Sequence, residues 1–73
     1  MAMLLVLERQ KLGLSQAALA RATGANPSSI SRIESGKEPP YPLRAQRIAD
    51  ALRWEGDPMD LFEEVEDRED GAV

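Results

Sequence analysis

The stretch LSQAALARATGANPSSISRIESGK, from Leu14 to Lys37, decides how this chain folds. It reads as two helical segments joined by a punctuated turn. Ser15 stands where a helix needs a side-chain acceptor, and Gln16 to about Thr23 follows it. The alanines of that segment (Ala17, Ala18, Ala20, Ala22) favour helix and permit close approach of a neighbouring backbone. Gly24 comes next, as the left-handed residue that stops a helix. Asn26 then caps a second segment. Pro27 takes its first position, where a missing N–H costs nothing. The segment runs to about Glu34 and stops at Ser35-Gly36. Leu19, Ala20, Thr23, Ala25, Ile30 and Ile33 are its inward positions. Ser28, Ser31 and Arg32 fall on the other face of the second helix, with Asn26 and Pro27 at its tip.

The flanks extend this pattern. A first helix is expected from about Ala2 to Lys11, ending near Gly13, with Leu5, Leu12 and the stem of Arg9 on one face. After Lys37, the loop Glu38-Pro39-Pro40-Tyr41 is stiff and not helical. A fourth helix is expected from about Pro42 to Leu52, with Leu43, Ile48, Ala49 and Leu52 on one side. Gly56 breaks the chain. Asp57-Pro58 then opens a short fifth helix that turns Leu61 and Phe62 inward. No repeat and no strand pattern appears. The expected fold is all-α, a compact five-helix bundle over residues 1–62. Residues 63–73 form an acidic tail expected to be frayed or disordered from Glu63 onward.

Composition narrows the function classes. The chain has 73 residues, of which 42% are hydrophobic, so it holds one small domain without room for a deep cleft. It has no cysteine and no histidine, which removes disulfides, thiolate metal sites and the commonest general base together. No metal, cofactor or catalytic residue is expected. No apolar run reaches the roughly 18 residues of a membrane span, so a cytoplasmic place is expected by default. The net charge is −4, but it is unevenly spread. Residues 1–62 carry eight basic and seven acidic side chains, and residues 63–73 carry one and six. The folded part is therefore slightly basic, which leaves nucleic acid open as a partner.

At this point the sequence resembles the Cro/C1-type (XRE-like) helix-turn-helix family, which includes the repressors of lambdoid phages. The resemblance covers about residues 4–62. It rests on Leu12-Gly13-Leu14-Ser15-Gln16, Leu19-Ala20, Gly24, Ser29-Ile30-Ser31-Arg32-Ile33-Glu34-Ser35-Gly36-Lys37 and Ile48-Ala49-Asp50-Ala51-Leu52. It implies a lambda-repressor-like bundle whose third helix enters the major groove of double-stranded DNA. It implies a sequence-specific transcriptional regulator, a repressor; because one short helix reads only a few base pairs, a homodimer or two half-site copies is expected. Ser28 and Arg32 match base-reading positions, and Ser31, Asn26 and Pro27 share their strip. Gln16 matches a residue that bonds phosphate, Ser15 stands beside it, and Ser35 and Lys37 match further phosphate contacts. Arg9 and Glu34 match a partly buried structural pair. Two departures stand out. Pro27 replaces a base-reading side chain, so that contact is either lost or replaced by apolar contact with a thymine methyl. Glu38 and two prolines replace basic loop residues, with Arg44 as the compensating cation.

Other readings stand beside these. The two-helix turn could be a purely structural hairpin, with Arg32 a solvated side chain. Trp54 suits core or hinge packing, or a partner hot spot. Met3, Leu4, Val6 and Leu7 exceed what one buried face needs; either the fifth helix or a dimer partner covers them. The chain could also be a protein-interaction module, antitoxin-like, using its acidic tail to bind a basic partner or to repel non-cognate DNA.

Overall fold

A computed structural model describes residues 2–66. The elements run β1 (Ala2–Met3), α1 (Leu4–Lys11), α2 (Gln16–Thr23), α3 (Pro27–Glu34), α4 (Pro42–Ala51), a 3-10 turn (Pro58–Phe62) and β2 (Glu64–Val65). The fold is thus mainly helical, with four α-helices among the described residues and a small antiparallel ladder.

Two of the expected boundaries are corrected at the chain ends. The first helix does not begin at Ala2. Ala2 pairs with Val65 and Met3 with Glu64, and the Leu4 N–H reaches the Glu63 carbonyl at 2.9 Å. The backbone before α1 is therefore satisfied by the far end of the chain rather than by another helical turn. The same pairing corrects the tail. It does not fray from Glu63, because Glu64 and Val65 form a strand; residues 67–73 of the expected tail lie outside the described residues. The fifth helix is also replaced, by the 3-10 turn that Asp57 caps at the Met59 N–H (3.0 Å). A turn this short makes i→i+3 bonds and suits a five-residue connector.

The central helices start and stop through local chemistry. Ser15 Oγ accepts from the Ala18 N–H at 3.0 Å, and Asn26 Oδ1 from the Ser29 N–H at 3.2 Å. Gly24 turns the chain at φ 77°. Gly36 does so after α3 at φ 80°, where the Lys37 N–H bonds the Arg32 carbonyl (2.8 Å) and the Gly36 N–H bonds Ile33 (3.1 Å). These are the two bonds of a Schellman closure.

Leu5, Leu19, Ala20, Ile30, Ile33, Ile48, Ala49, Leu52 and Leu61 form one core, joined at its edge by Trp54 and Phe62. Thr23 is the polar residue buried beside it, and its hydroxyl donates back to the Leu19 carbonyl at 2.9 Å. Two expected core leucines are outside. Leu12, the C-cap of α1, is 52% exposed. Leu43 is 65% exposed. The buried stripe of α4 is Ala45, Ile48, Ala49 and Leu52, spaced i, i+3, i+4, i+7, and Leu43 is out of step with it. Met3 and Leu4 pack partly on the core, whereas Leu7 lines a shallow depression with Leu4, Glu8, Gln10 and Lys11.

The helix after the loop also ends differently from expectation. Its closure falls at Arg53, with φ 56°, and the Trp54 N–H bonds the Ala49 carbonyl at 2.9 Å. Gly56 serves another purpose. The Trp54 indole donates from Nε1 to the Asp57 carbonyl (3.0 Å), and a Cβ on Gly56 would lie 3.1 Å from Nε1. Arg53 holds a left-handed backbone that costs an L-residue about 1 kcal/mol or more. Arg53→Gly is therefore expected to raise the thermal midpoint by about 4–8 °C, the shift that about 1 kcal/mol produces in a domain this small. An unchanged or lower midpoint would show that this turn carries no backbone strain.

Candidate nucleic-acid interface

Three elements meet on one carboxylate. Glu34, the last residue of α3, accepts from Arg9 Nε (2.7 Å) and Arg9 Nη2 (3.1 Å), a two-pronged pair. Arg9 Nη1 donates at 2.7 Å to the Leu14 carbonyl, just before α2. Gln16 Nε2, at the start of α2, reaches Glu34 Oε1 at 2.8 Å. The side chains of Arg9 and Glu34 are only 11% and 6% exposed. A desolvated pair of this kind gains little over apolar packing, but it specifies one arrangement because every alternative leaves a charge unpaired. Here it sets where the end of α3 sits relative to α1 and α2.

With that end held, α3 buries Ile30 and Ile33 and turns its other side outward. Asn26, Pro27, Ser28, Ser31 and Arg32 are all exposed. Asn26 spends its side-chain oxygen on the cap, which leaves its amide NH2 outward. Pro27 offers only apolar surface. Ser28 and Ser31 face solvent three residues apart, and Arg32 follows them.

The expected phosphate-binding residues gather near the C-terminal end of α3. Ser15 is exposed but its Oγ is engaged as the α2 cap. Gln16 is half-buried and its side chain is engaged by Glu34, so the open N–H groups of the first helical turn are what remain for an anion. Ser35 Oγ donates to the Arg32 carbonyl at 3.1 Å. Lys37 is exposed and its backbone N–H closes α3. Arg44 is 34% exposed at the start of α4.

Sequence reasoning treated Glu38 as a loss of basic charge and gave it no partner. In the structure, Arg32 Nε donates to Glu38 Oε1 at 3.0 Å, and Arg44 Nη1 lies 3.7 Å from Glu38 Oε2. Arg32 and Glu38 stand six positions apart across a helix end, so no helical spacing signals the pair. Arg47, which was also not singled out, stands exposed one turn beyond Arg44 and lines a shallow concavity with Glu38, Tyr41, Leu43 and Arg44.

Two capped helices joined through a left-handed glycine, the second with a polar outer strip, define a helix-turn-helix module. The comparison with known families agrees: the helix-turn-helix domain family matches residues 1–62, and the chain belongs to it, as a domain of the XRE/Cro-C1 type. No curated protein and no solved structure matches the chain significantly. Modules of this class are DNA-binding parts of regulators. Among the described residues no helix is long and apolar enough to cross a membrane.

Arg9→Ala leaves the Glu34 carboxylate desolvated with Gln16 alone. It is expected to lower unfolding stability by about 3 kcal/mol in urea titration. A loss under about 1 kcal/mol would show that the pair behaves as a surface contact.

Proposed function

We propose that this chain is a sequence-specific transcriptional repressor that lays α3 in the major groove of double-stranded DNA. The observation that carries this reading is the two-sidedness of α3. Ile30 and Ile33 are buried, while Ser28, Ser31 and Arg32 stand outward on a helix of eight residues whose end is tied down. Arg32 is the main reader: a guanidinium can donate to guanine O6 and N7 together. Ser28 and Ser31 add shorter contacts, the Asn26 amide suits a base-edge acceptor, and Pro27 suits a thymine methyl. The N–H groups at the head of α2, with Ser15 and Gln16 beside them, and Ser35, Lys37 and Arg44 beyond α3, hold the phosphates and so set register rather than sequence. One short helix spans only a few base pairs, so the chain acts as a homodimer on two half-sites. That work needs no cofactor and no catalysis, and it places the protein with DNA in the cytoplasm.

An alternative, a protein-interaction module of antitoxin type, draws support from Glu38. By pairing with both Arg32 and Arg44 it reduces the positive field around α3. Capture of a stable protein partner, with no retention on mixed DNA at low salt, would select that reading.

Selection of bound sequences from a random DNA pool, with the oligomeric state measured alongside, tests the proposal. Arg32→Ala is expected to cost about 1–3 kcal/mol of discrimination at one base pair. Equal loss on all sequences would refute base reading by Arg32. Lys37→Ala is expected to weaken all sequences alike and to make the salt dependence shallower by about one counterion. A sequence-selective loss from Lys37→Ala would remove it from the phosphate set.

A further inference from the structure

The Arg32–Glu38 pair is built more deliberately than an exposed ion pair needs to be. The Glu38 backbone N–H bonds the Arg32 carbonyl at 3.2 Å, while its carboxylate bonds the Arg32 side chain at 3.0 Å. One residue thus grips the other at both main chain and guanidinium. The neighbouring Lys37 N–H bonds the same carbonyl at 2.8 Å, so the loop is anchored on the residue whose side chain it holds. Pro39 follows and disfavours helical backbone at Glu38; Pro40 stiffens the next link. The second carboxylate oxygen faces Arg44 at 3.7 Å. Glu38 is 22% exposed and Arg32 52%, so the pair contributes little to stability. Its consequence is orientation.

We propose that Glu38 is a positioning residue for base recognition: it holds Arg32 by Nε so that the two terminal nitrogens become the reading edge. This rests on the DNA-binding reading above. Nε is taken by Oε1, and among the described residues the terminal amino groups of Arg32 make no hydrogen bond. Those two groups form a parallel pair of donors that matches guanine O6 and N7 end-on. An untethered arginine of this exposure would turn to phosphate, the nearest anion in any DNA sequence, and bind without discriminating. Glu38 also offsets one of the two positive charges beside it. It thereby lowers attraction to DNA in general while sharpening attraction to one base.

The experiment compares wild type, E38A, E38Q and R32A by pool selection, and by titration against salt on the selected site and on mixed DNA. Glutamine keeps an oxygen acceptor for Nε and removes the charge, so it separates orientation from electrostatics. E38A is expected to lose about tenfold in preference at the base pair read by Arg32, with a salt dependence steeper by about one counterion. E38Q is expected to show the steeper salt dependence with the preference retained. Thermal midpoints of both variants should match wild type, which a structural role for Glu38 would not allow. A motif lost in R32A but equally sharp in E38A and wild type overturns this proposal alone. Wild type without any sequence preference, or R32A with an unchanged motif, overturns the DNA-reading proposal with it.

Discussion

A single carboxylate, Glu34, organises the module. Arg9 from α1 and Gln16 from α2 converge on it at the C-terminal end of α3, all within 3.1 Å. Apolar packing of Ile30 and Ile33 is non-directional and would tolerate rotation and sliding of so short a helix. The charge network is directional. Because Glu34 is 6% exposed, losing the Arg9 geometry leaves a charge away from water, so the helix has one favourable seat. The outward strip inherits its orientation from that seat.

Charge around α3 is economical for the nucleic-acid surface proposed here. Arg32, Lys37, Arg44 and Arg47 border it, and Glu38 contacts two of them. A surface built only for affinity would not keep an acidic residue there. A surface built for discrimination gains from it, since phosphate attraction is indifferent to sequence and each removed charge reduces that indifferent term. The short loop between Gly36 and α4 makes this possible. It folds back on Arg32 through two backbone bonds and is then stiffened by consecutive prolines.

Much of the architecture was legible along the chain because its signals are local. Ser15 and Asn26 act as the caps their types suggest, Pro27 opens α3, and Gly24 turns left-handed where the two helices part. Helical spacing alone puts Leu12 and Leu43 on inward faces, yet Leu12, the C-cap of α1, is exposed and Leu43 lies off the stripe that Ala45 occupies. By sequence alone Gly56 reads as the break after α4. The left-handed residue is Arg53, held there by backbone bonds of the closing turn, and Gly56 instead makes room for the Trp54 ring.

The order of residues by itself determined the four helices, the glycine turn and the outward placement of Ser28, Ser31 and Arg32, since capping and 3.6-residue periodicity act over a few neighbours. Only the tertiary structure decided that Ala2–Met3 pairs with Glu64–Val65, that Gln16 turns to Glu34, and that Glu38 holds Arg32 and Arg44. Those contacts join segments whose spacing follows no helical or strand period. They exist because the packed core brings distant backbone ends and charges within hydrogen-bonding range, a property of the assembled helices and not of any one of them.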